Sequence, residues 1–421
     1  MKNQLTIFFL FLSFFTFAQT EREWKKSAFT FNPEFLLGLT MESNDGFPKT
    51  KLQKQVVINL GRYHTFNPQQ WAQQLKGPKT GVSVGITDFG NLDSLGIAIT
   101  AIPFIEFNAF GSERWKVFTG MGASYFTKKF NAETNPQNQA VTTDITWAFR
   151  LYLYYQFLST KNIDWRIGVG YSHHSNGHTR LLNQGYNSFL LSLSADIKNP
   201  FKRVENSQPE AIPKYKRMVY NYFAFRGGLG QNAFALAFND KKSVYTIAGE
   251  YGRIYNNTYK IGIGFYYRFY QHYYDYIKGN ESLVQAGREF DYFKSNPWYY
   301  ATNLGVSLHG EIFLNHVGID LQLGFNLHKP AYKLDWRINE GWDNTPREIS
   351  STWVLGELDG SYKQKYRISS RLGLKYYLIG MENAPKNNIY IGANLNANLG
   401  QADFTELSLG YVHSFNFRER K

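Results

Sequence analysis

The chain has 421 residues, with 46 Lys and Arg against 33 Asp and Glu, a net charge of +13 and no cysteine. The missing thiols exclude disulfides, a lipoprotein anchor and thiolate metal sites. Aromatic residues make up 18% of the chain while mean hydropathy is −0.41, which is more Tyr and Phe than a soluble core needs and suits a barrel with aromatic girdles at two membrane interfaces. Excess positive charge points either to an anionic partner, which for an outer-membrane protein is the phosphate and carboxylate of lipopolysaccharide, or to a basic lumen or a surface kept basic for solubility, and charge alone does not decide between them.

Residues 1–18 run from Lys2 through an apolar stretch, Leu5 to Phe17, to the small Ala18 before Gln19. This is the pattern of a secretory signal peptide, too short to span a bilayer as a helix. No later apolar run reaches the roughly 18 residues of a transmembrane helix.

Beyond it the chain alternates. Strands are expected near 27–39, 52–62, 79–89, 97–110, 115–130, 143–158, 163–175, 185–198, 217–229, 241–254, 258–275, 301–313, 316–328, 365–380, 387–398 and 403–417. In 145–157, Ile145, Trp147, Phe149, Leu151, Leu153, Tyr155 and Phe157 share one face, and Arg150, Tyr152, Tyr154 and Gln156 share the other. In 319–327, Ile319, Leu321, Leu323, Phe325 and Leu327 oppose Asp320, Gln322, Gly324 and Asn326. Strands of about ten residues with one greasy and one polar face are the signature of a transmembrane β-barrel.

Tight turns are expected at 111–114, 159–162, 255–257 and 314–315, and longer loops at 131–142, 276–300 and 329–364. Counted alternately, the turns fall at one end and the loops at the other, as in outer-membrane barrels with short periplasmic turns. Connections 63–78 and 199–216 break the rule, being long on the periplasmic side. The second, with Pro209 and Pro213, divides the mature chain into halves 19–200 and 201–421 of about eight strands each. The expected fold is all-β: a transmembrane antiparallel outer-membrane β-barrel of about 14–16 strands, which the second half completes. Two eight-stranded barrels are the alternative, since either closure satisfies every backbone group in lipid.

Strand 163–175 carries the chemistry. Trp165, Ile167, Val169 and Tyr171 form its apolar face, and period two places His173 and Ser175 on that face while His174 turns to the lumen. The next strand, 185–198, brings Asn187 to the same face by parity with Phe189, Leu191 and Leu193. A base, a nucleophile and an orienting amide thus converge on the outside of the barrel near the extracellular rim. Asn176, the Gly177 N–H and Asn183 are candidate donors for the oxyanion of an ester tetrahedral intermediate.

The segment Tyr171-Ser172-His173-His174-Ser175-Asn176-Gly177, followed by Asn183-Gln184-Gly185-Tyr186-Asn187, resembles the active-site segment of the lipid A 3-O-deacylase (PagL) family of outer-membrane acyloxyacyl hydrolases. In that family His-x-Ser-Asn is followed by Asn-x-Gly-x-Glu. The resemblance covers roughly 75–200. It implies a serine esterase that removes an acyl chain from lipid A, with His173 as base and Ser175 as nucleophile. The segments Leu308-His309-Gly310-Glu311, Leu321-Gln322-Leu323-Gly324, Arg371-Leu372-Gly373-Leu374-Lys375-Tyr376 and Gln401-Ala402-Asp403-Phe404 resemble an extended, Bacteroidetes-type form of it. One departure stands out: Asn187 occupies the position where the family holds Glu. An amide fixes the histidine tautomer but cannot stabilise imidazolium by charge. Glu311 is a distant candidate for the missing acid.

Two other classes are open to such a chain. A channel would line its lumen with Arg150, Arg166, Arg371 and Lys375. A binding or adhesion barrel would use loops 276–300 and 329–364, which carry Trp298, Trp336, Trp342 and Trp353. The nine histidines show no metal-ligand spacing with supporting carboxylates, so neither a metal nor a cofactor is expected. No basic cluster suggests nucleic acid.

Overall fold

A computed structural model of the chain describes residues 29–65, 67–198, 215–339 and 360–420. The expected signal peptide, Pro209, Pro213, Trp342 and Trp353 lie outside the described residues.

Sixteen strands follow one another: β1 (Phe29–Thr40), β2 (Gln53–Tyr63), β3 (Lys79–Asp88), β4 (Ile97–Ala109), β5 (Ser112–Phe126), β6 (Ile145–Ser159), β7 (Ile163–Ser175), β8 (Tyr186–Lys198), β9 (Met218–Asn232), β10 (Lys242–Tyr255), β11 (Tyr259–Tyr270), β12 (Thr302–Leu314), β13 (Val317–His328), β14 (Ile368–Tyr377), β15 (Asn387–Asn398) and β16 (Gln401–Glu419). Each pairs antiparallel with its neighbours, and the sheet closes twice. β8 returns to β1 (Phe31↔Ile197 through Thr40↔Ser188), and β16 to β9 (Thr405↔Gln231 through Glu419↔Met218). The single larger barrel expected from the sequence is therefore corrected to two closed eight-stranded barrels. The reason is non-local. Alternation says that a strand has one lipid face, but not whether the edge of β1 is met by β8 or by β16.

Eight strands leave an interior that side chains just fill, and both lumens are filled by ion pairs. In the first, Glu34 accepts from Arg150 Nη2 at 3.0 Å, Tyr154 Oη at 2.6 Å, Ser192 Oγ at 2.7 Å and Asn59 Nδ2 at 3.0 Å. Arg166 Nη1 reaches both oxygens of Glu106, and Lys79 pairs with Asp196 at 3.0 Å. In the second, Arg226 and Arg371 share Glu406, while Lys260 and Lys375 share Glu311 at 3.2 and 2.9 Å. Lys375 also pairs with Asp320 at 2.7 Å. Arg150, Arg166, Arg371 and Lys375 are thus buried and paired rather than arrayed along a wide aqueous channel. The outer faces are the reverse: Leu191 is 65% and Ile263 66% exposed. Such continuous apolar rows would be an aggregation hazard in water and are the surface lipid requires.

The turns sort as expected. At one end lie Phe110-Gly111, 160–162, 256–258 and 315–316. Phe110 and Gly111 both have positive φ, 54° and 67°, the conformation of a two-residue hairpin whose twist matches its strands. The other end carries long connections, with two further exceptions to the sorting: β15 and β16 join there through Leu399-Gly400 alone, and the long 378–386 connection between β14 and β15 lies at the turn end.

The anomalous 63–78 connection has a structural role. It folds into α1 (Gln70–Gln74), and its side chains meet the second barrel's turns. Asn257 Nδ2 donates to Gln70 Oε1 at 3.0 Å, Asn256 Nδ2 to Gln74 Oε1 at 3.2 Å, and Gln69 Nε2 to Glu382 Oε2 at 3.3 Å. His64 braces it, bonded to Thr80 Oγ1 and Asn67 Nδ2 and packed on Trp71 with ring centroids 4.7 Å apart. Burial pushes the His64 imidazole down to about 4, so it is neutral at pH 7 and offers one donor and one acceptor.

Removing one partner of a buried ion pair strands the other in low dielectric, at a cost of about 3–5 kcal/mol. Glu34→Ala, which orphans Arg150 and three further donors, is expected to lose stability on that scale. Ser192→Ala, which removes one hydroxyl donor to Glu34, is expected to lose only about 1 kcal/mol. Equilibrium urea unfolding in lipid vesicles checks both, and equal midpoints for the two variants would contradict the lumen account.

Candidate active site

β7 and β8 are joined by residues 176–185, and the register sets His173 directly across from Asn187. On the other side of β7, Ser175 stands directly across from Trp147 of β6. Directly opposed residues of an antiparallel pair share a face. His173, Ser175, Asn187 and Trp147 therefore lie together on the outer surface, one step above the lipid-facing pair Tyr171 and Phe189.

The base and its orienter are in contact. Asn187 Oδ1 accepts from His173 Nδ1–H at 2.7 Å and from the Tyr171 hydroxyl at 2.6 Å. With the amide oxygen in this position as the acceptor, the histidine proton is assigned to Nδ1. Nε2 is then the free lone pair, the atom a general base uses. Gly185 makes room for the ring. Its φ is +76°, and a Cβ there would lie 2.9 Å from His173 Cε1, so any other residue would be strained and would displace the imidazole.

The nucleophile and base are neighbours without a bond. Among the described residues no hydrogen bond links Ser175 to His173; Ser175 Oγ instead takes the Gly177 N–H at 3.4 Å. Ser175 is only 4% exposed, against 54% for Val169 on the same face of the same strand.

The three oxyanion candidates separate. Asn176 is committed to structure. Its N–H goes to Asn183 Oδ1 at 2.8 Å, and its side-chain nitrogen to Thr142 Oγ1 at 3.0 Å and Arg180 O at 2.6 Å. Gly177 keeps only the long bond to Ser175 Oγ, so its N–H is free to turn to a charged oxygen beside the nucleophile. Asn183, fixed through its oxygen, directs an amide nitrogen away from that bond.

His174 turns inward as expected. Its Nδ1 meets Ser124 Oγ at 3.1 Å, between the edges of Phe89 and Phe126. Glu311 lies in the lumen of the second barrel, paired with Lys260 and Lys375, and cannot serve His173. Another serine–histidine contact sits nearby, Ser307 Oγ to His309 Nε2 at 2.7 Å, but both are buried among the same ion pairs. Among the described residues no group of His, Asp and Glu is placed to hold a metal ion.

Below the site the outer wall forms an apolar groove. Leu37, Leu39, Val169, Tyr171, Phe189 and Leu191 line it. Sequence reading placed Tyr171 on this face without a role; its parity with His173 was the available signal. It gave no hint of Thr405, which accepts from Trp147 Nε1 at 3.0 Å across from the first barrel. That contact joins residues 258 apart in the chain.

Residues 26–196 match the lipid A 3-O-deacylase (PagL) family. Among solved structures, the outer membrane enzyme PagL is 16% identical, with 39% of this chain and 97% of that one covered and a TM-score of 0.29. A mutant porin of Rh. blastica is 12% identical, with 92% and 100% covered and a TM-score of 0.16. Pseudomonas aeruginosa OccK5 (OpdH) is 8% identical, with 93% and 98% covered and a TM-score of 0.20. No curated protein matches the chain. The family match spans β1 through most of β8, including the His173–Asn187 strand pair, and stops before the second barrel begins.

Proposed function

We propose that the chain is an outer-membrane serine esterase that removes an ester-linked acyl chain from lipid A, with His173 as base, Ser175 as nucleophile and Asn187 as the amide that orients the base. The observation that carries this reading is the Tyr171–Asn187–His173 arrangement on the lipid-facing side of a barrel that matches the PagL family. A site on that surface meets substrates whose ester bonds lie in the bilayer. The lumen offers no such access.

In the reaction, Ser175 Oγ attacks the ester carbonyl as its proton passes to His173 Nε2. Rotation about the Ser175 Cα–Cβ bond brings the hydroxyl toward the ring, a tightening common when substrate binds. The carbonyl oxygen gains the negative charge and is met by the Gly177 N–H, with Asn183 Nδ2 as second donor. Collapse of the intermediate breaks the ester C–O bond, and the departing sugar oxygen takes the proton from His173. Water, deprotonated by the same nitrogen, then releases the fatty acid from Ser175. The groove below Tyr171 and Phe189 takes the acyl chain, and the net charge of +13 suits an anionic lipid. The segment 1–18 serves export to the periplasm on the way to the outer membrane.

Lipid A extracted from cells carrying the wild type is expected to lose one acyl chain by mass spectrometry, and from Ser175→Ala cells to lose none. Identical lipid A from both, with both proteins folded in the membrane, would reject the esterase. Asn187→Glu supplies a charge facing the imidazolium, and the pocket already holds two donors for a carboxylate. Its kcat on purified lipid A in detergent micelles is expected to rise by roughly tenfold or more, a modest share of the effect of such a carboxylate in hydrolase triads. A fall would show that Asn187 acts otherwise than as the orienter.

A further inference from the structure

The second barrel reaches the site. Leu395 and Thr405 pair directly across β15 and β16, on that barrel's outer face. Gly177, two residues past Ser175, has φ +66°, and a Cβ there would lie 2.4 Å from Thr405 Oγ1 and 3.0 Å from both Leu395 Cδ1 and Trp147 Cδ1. The backbone of the active-site loop is thus pressed onto the partner barrel's wall. Thr405 Oγ1 accepts from Trp147 Nε1 at 3.0 Å and donates to Gly177 O at 3.5 Å. It therefore bridges the residue opposite Ser175 to the residue whose N–H is held only by the long bond to Ser175 Oγ.

Three further bonds hold the rest of the loop. Ala233 N donates to His178 O at 2.8 Å. Asn239, in the loop between β9 and β10, accepts from Leu181 N at 2.7 Å and donates to Leu181 O at 2.6 Å, satisfying both backbone groups of one residue. The burial of Ser175 on an otherwise exposed face fits a site that is walled on the Trp147 side and open on the side of Tyr171 and Phe189.

We propose that the second barrel is part of the esterase site. Thr405 and Asn239 are positioning residues that fix the 176–184 loop and aim the Gly177 N–H at the reacting oxygen, and the Leu395–Thr405 wall confines the acyl chain to the groove along β7, β8 and β1. This inference rests on the esterase reading above. The first barrel holds this loop through Thr142 and the 139–140 backbone, and the second barrel adds the contacts at Gly177, His178 and Leu181. Small displacements of an oxyanion donor cost catalysis rather than binding.

The test uses the full chain, purified in detergent, with lipid A in mixed micelles as the probe. Thr405→Val keeps the shape and removes the hydroxyl; Asn239→Ala removes both loop bonds. Each is expected to lower kcat by roughly tenfold or more, with KM changed by less than about threefold. Thr405→Ser, which restores the hydroxyl, is expected to recover the rate. Leu323→Ala, on lipid-facing wall away from the seam, is expected to leave it unchanged. Heat-modifiable gel mobility reports the folded fraction of every variant, so that loss of folding is not read as loss of rate. Wild-type kcat in folded Thr405→Val and Asn239→Ala, with Ser175→Ala inactive, would overturn this inference and leave the esterase standing. An equal fall in Thr405→Val and Thr405→Ser would also overturn it. Equal rates in wild type and Ser175→Ala would remove both together.

Discussion

A strand in lipid has no water to satisfy an open edge, so every N–H and C=O along it must find a neighbouring strand. That requirement is met twice here, once when β8 returns to β1 and once when β16 returns to β9. Closure after eight strands then fixes what the interior can be. The bore is too narrow for a water column and wide enough only for side chains, so the inward positions are occupied by long polar residues that meet at the axis. Chemistry that handles a lipid cannot be placed in such a bore. It is left to the outer surface, and the best place there is near the rim, where a strand leaves the bilayer and polar groups regain partners.

The same closure explains where the positive charge does not lie. The first lumen sets Lys79, Arg150 and Arg166 against Glu34, Glu106 and Asp196. The second sets Arg226, Lys260, Arg371 and Lys375 against Glu250, Glu311, Asp320 and Glu406. Cations and anions balance within each set, as burial demands, because an unpaired charge in this medium costs several kcal/mol. These ion pairs therefore contribute nothing to the excess of +13, which is carried by the remaining residues of the chain. A basic lumen is not its explanation. An electrostatic attraction to anionic lipid is compatible with that distribution, whereas a selectivity filter built from the lumen arginines is not.

Much of this was legible in the chain because period-two alternation is local. All sixteen strands lie where alternation puts them, except that the strand expected to run to 275 ends at Tyr270 and gives way to a helix, Gln271–Lys278; the shared face of His173, Ser175 and Asn187 followed from parity alone. The number of barrels was not legible, since it depends on which distant edge β1 meets. The long 63–78 connection could be recognised as an exception but not explained, because its partners Asn256 and Asn257 belong to turns of the other barrel. Asn176 looked like an oxyanion donor by position. Its hydrogens are consumed by Thr142 and Arg180, contacts that depend on how two loops fold over each other. Thr405 and Asn239 carry no motif at all, and only the docking of two closed sheets brings them to the loop.

The amide at 187 and the wall at 405 can be weighed on one scale. A carboxylate facing His173 would stabilise imidazolium, but at rest it would be an anion half-buried beside lipid, with only Tyr171 and the histidine N–H to compensate it. Asn187 accepts the same two hydrogen bonds without that resting charge. It holds the base as firmly and gives up the electrostatic term that operates only as the proton moves. A site that forgoes this term depends more heavily on the remaining one, the donor facing the developing oxyanion, and that donor is effective only if it is already in place when charge appears. A loop pinned through Gly177, His178 and Leu181 to a second rigid barrel meets this condition better than a loop held by the first barrel alone. On this argument the neutral orienter and the second barrel belong together: the less the base is helped by charge, the more the oxyanion donor must be held in place.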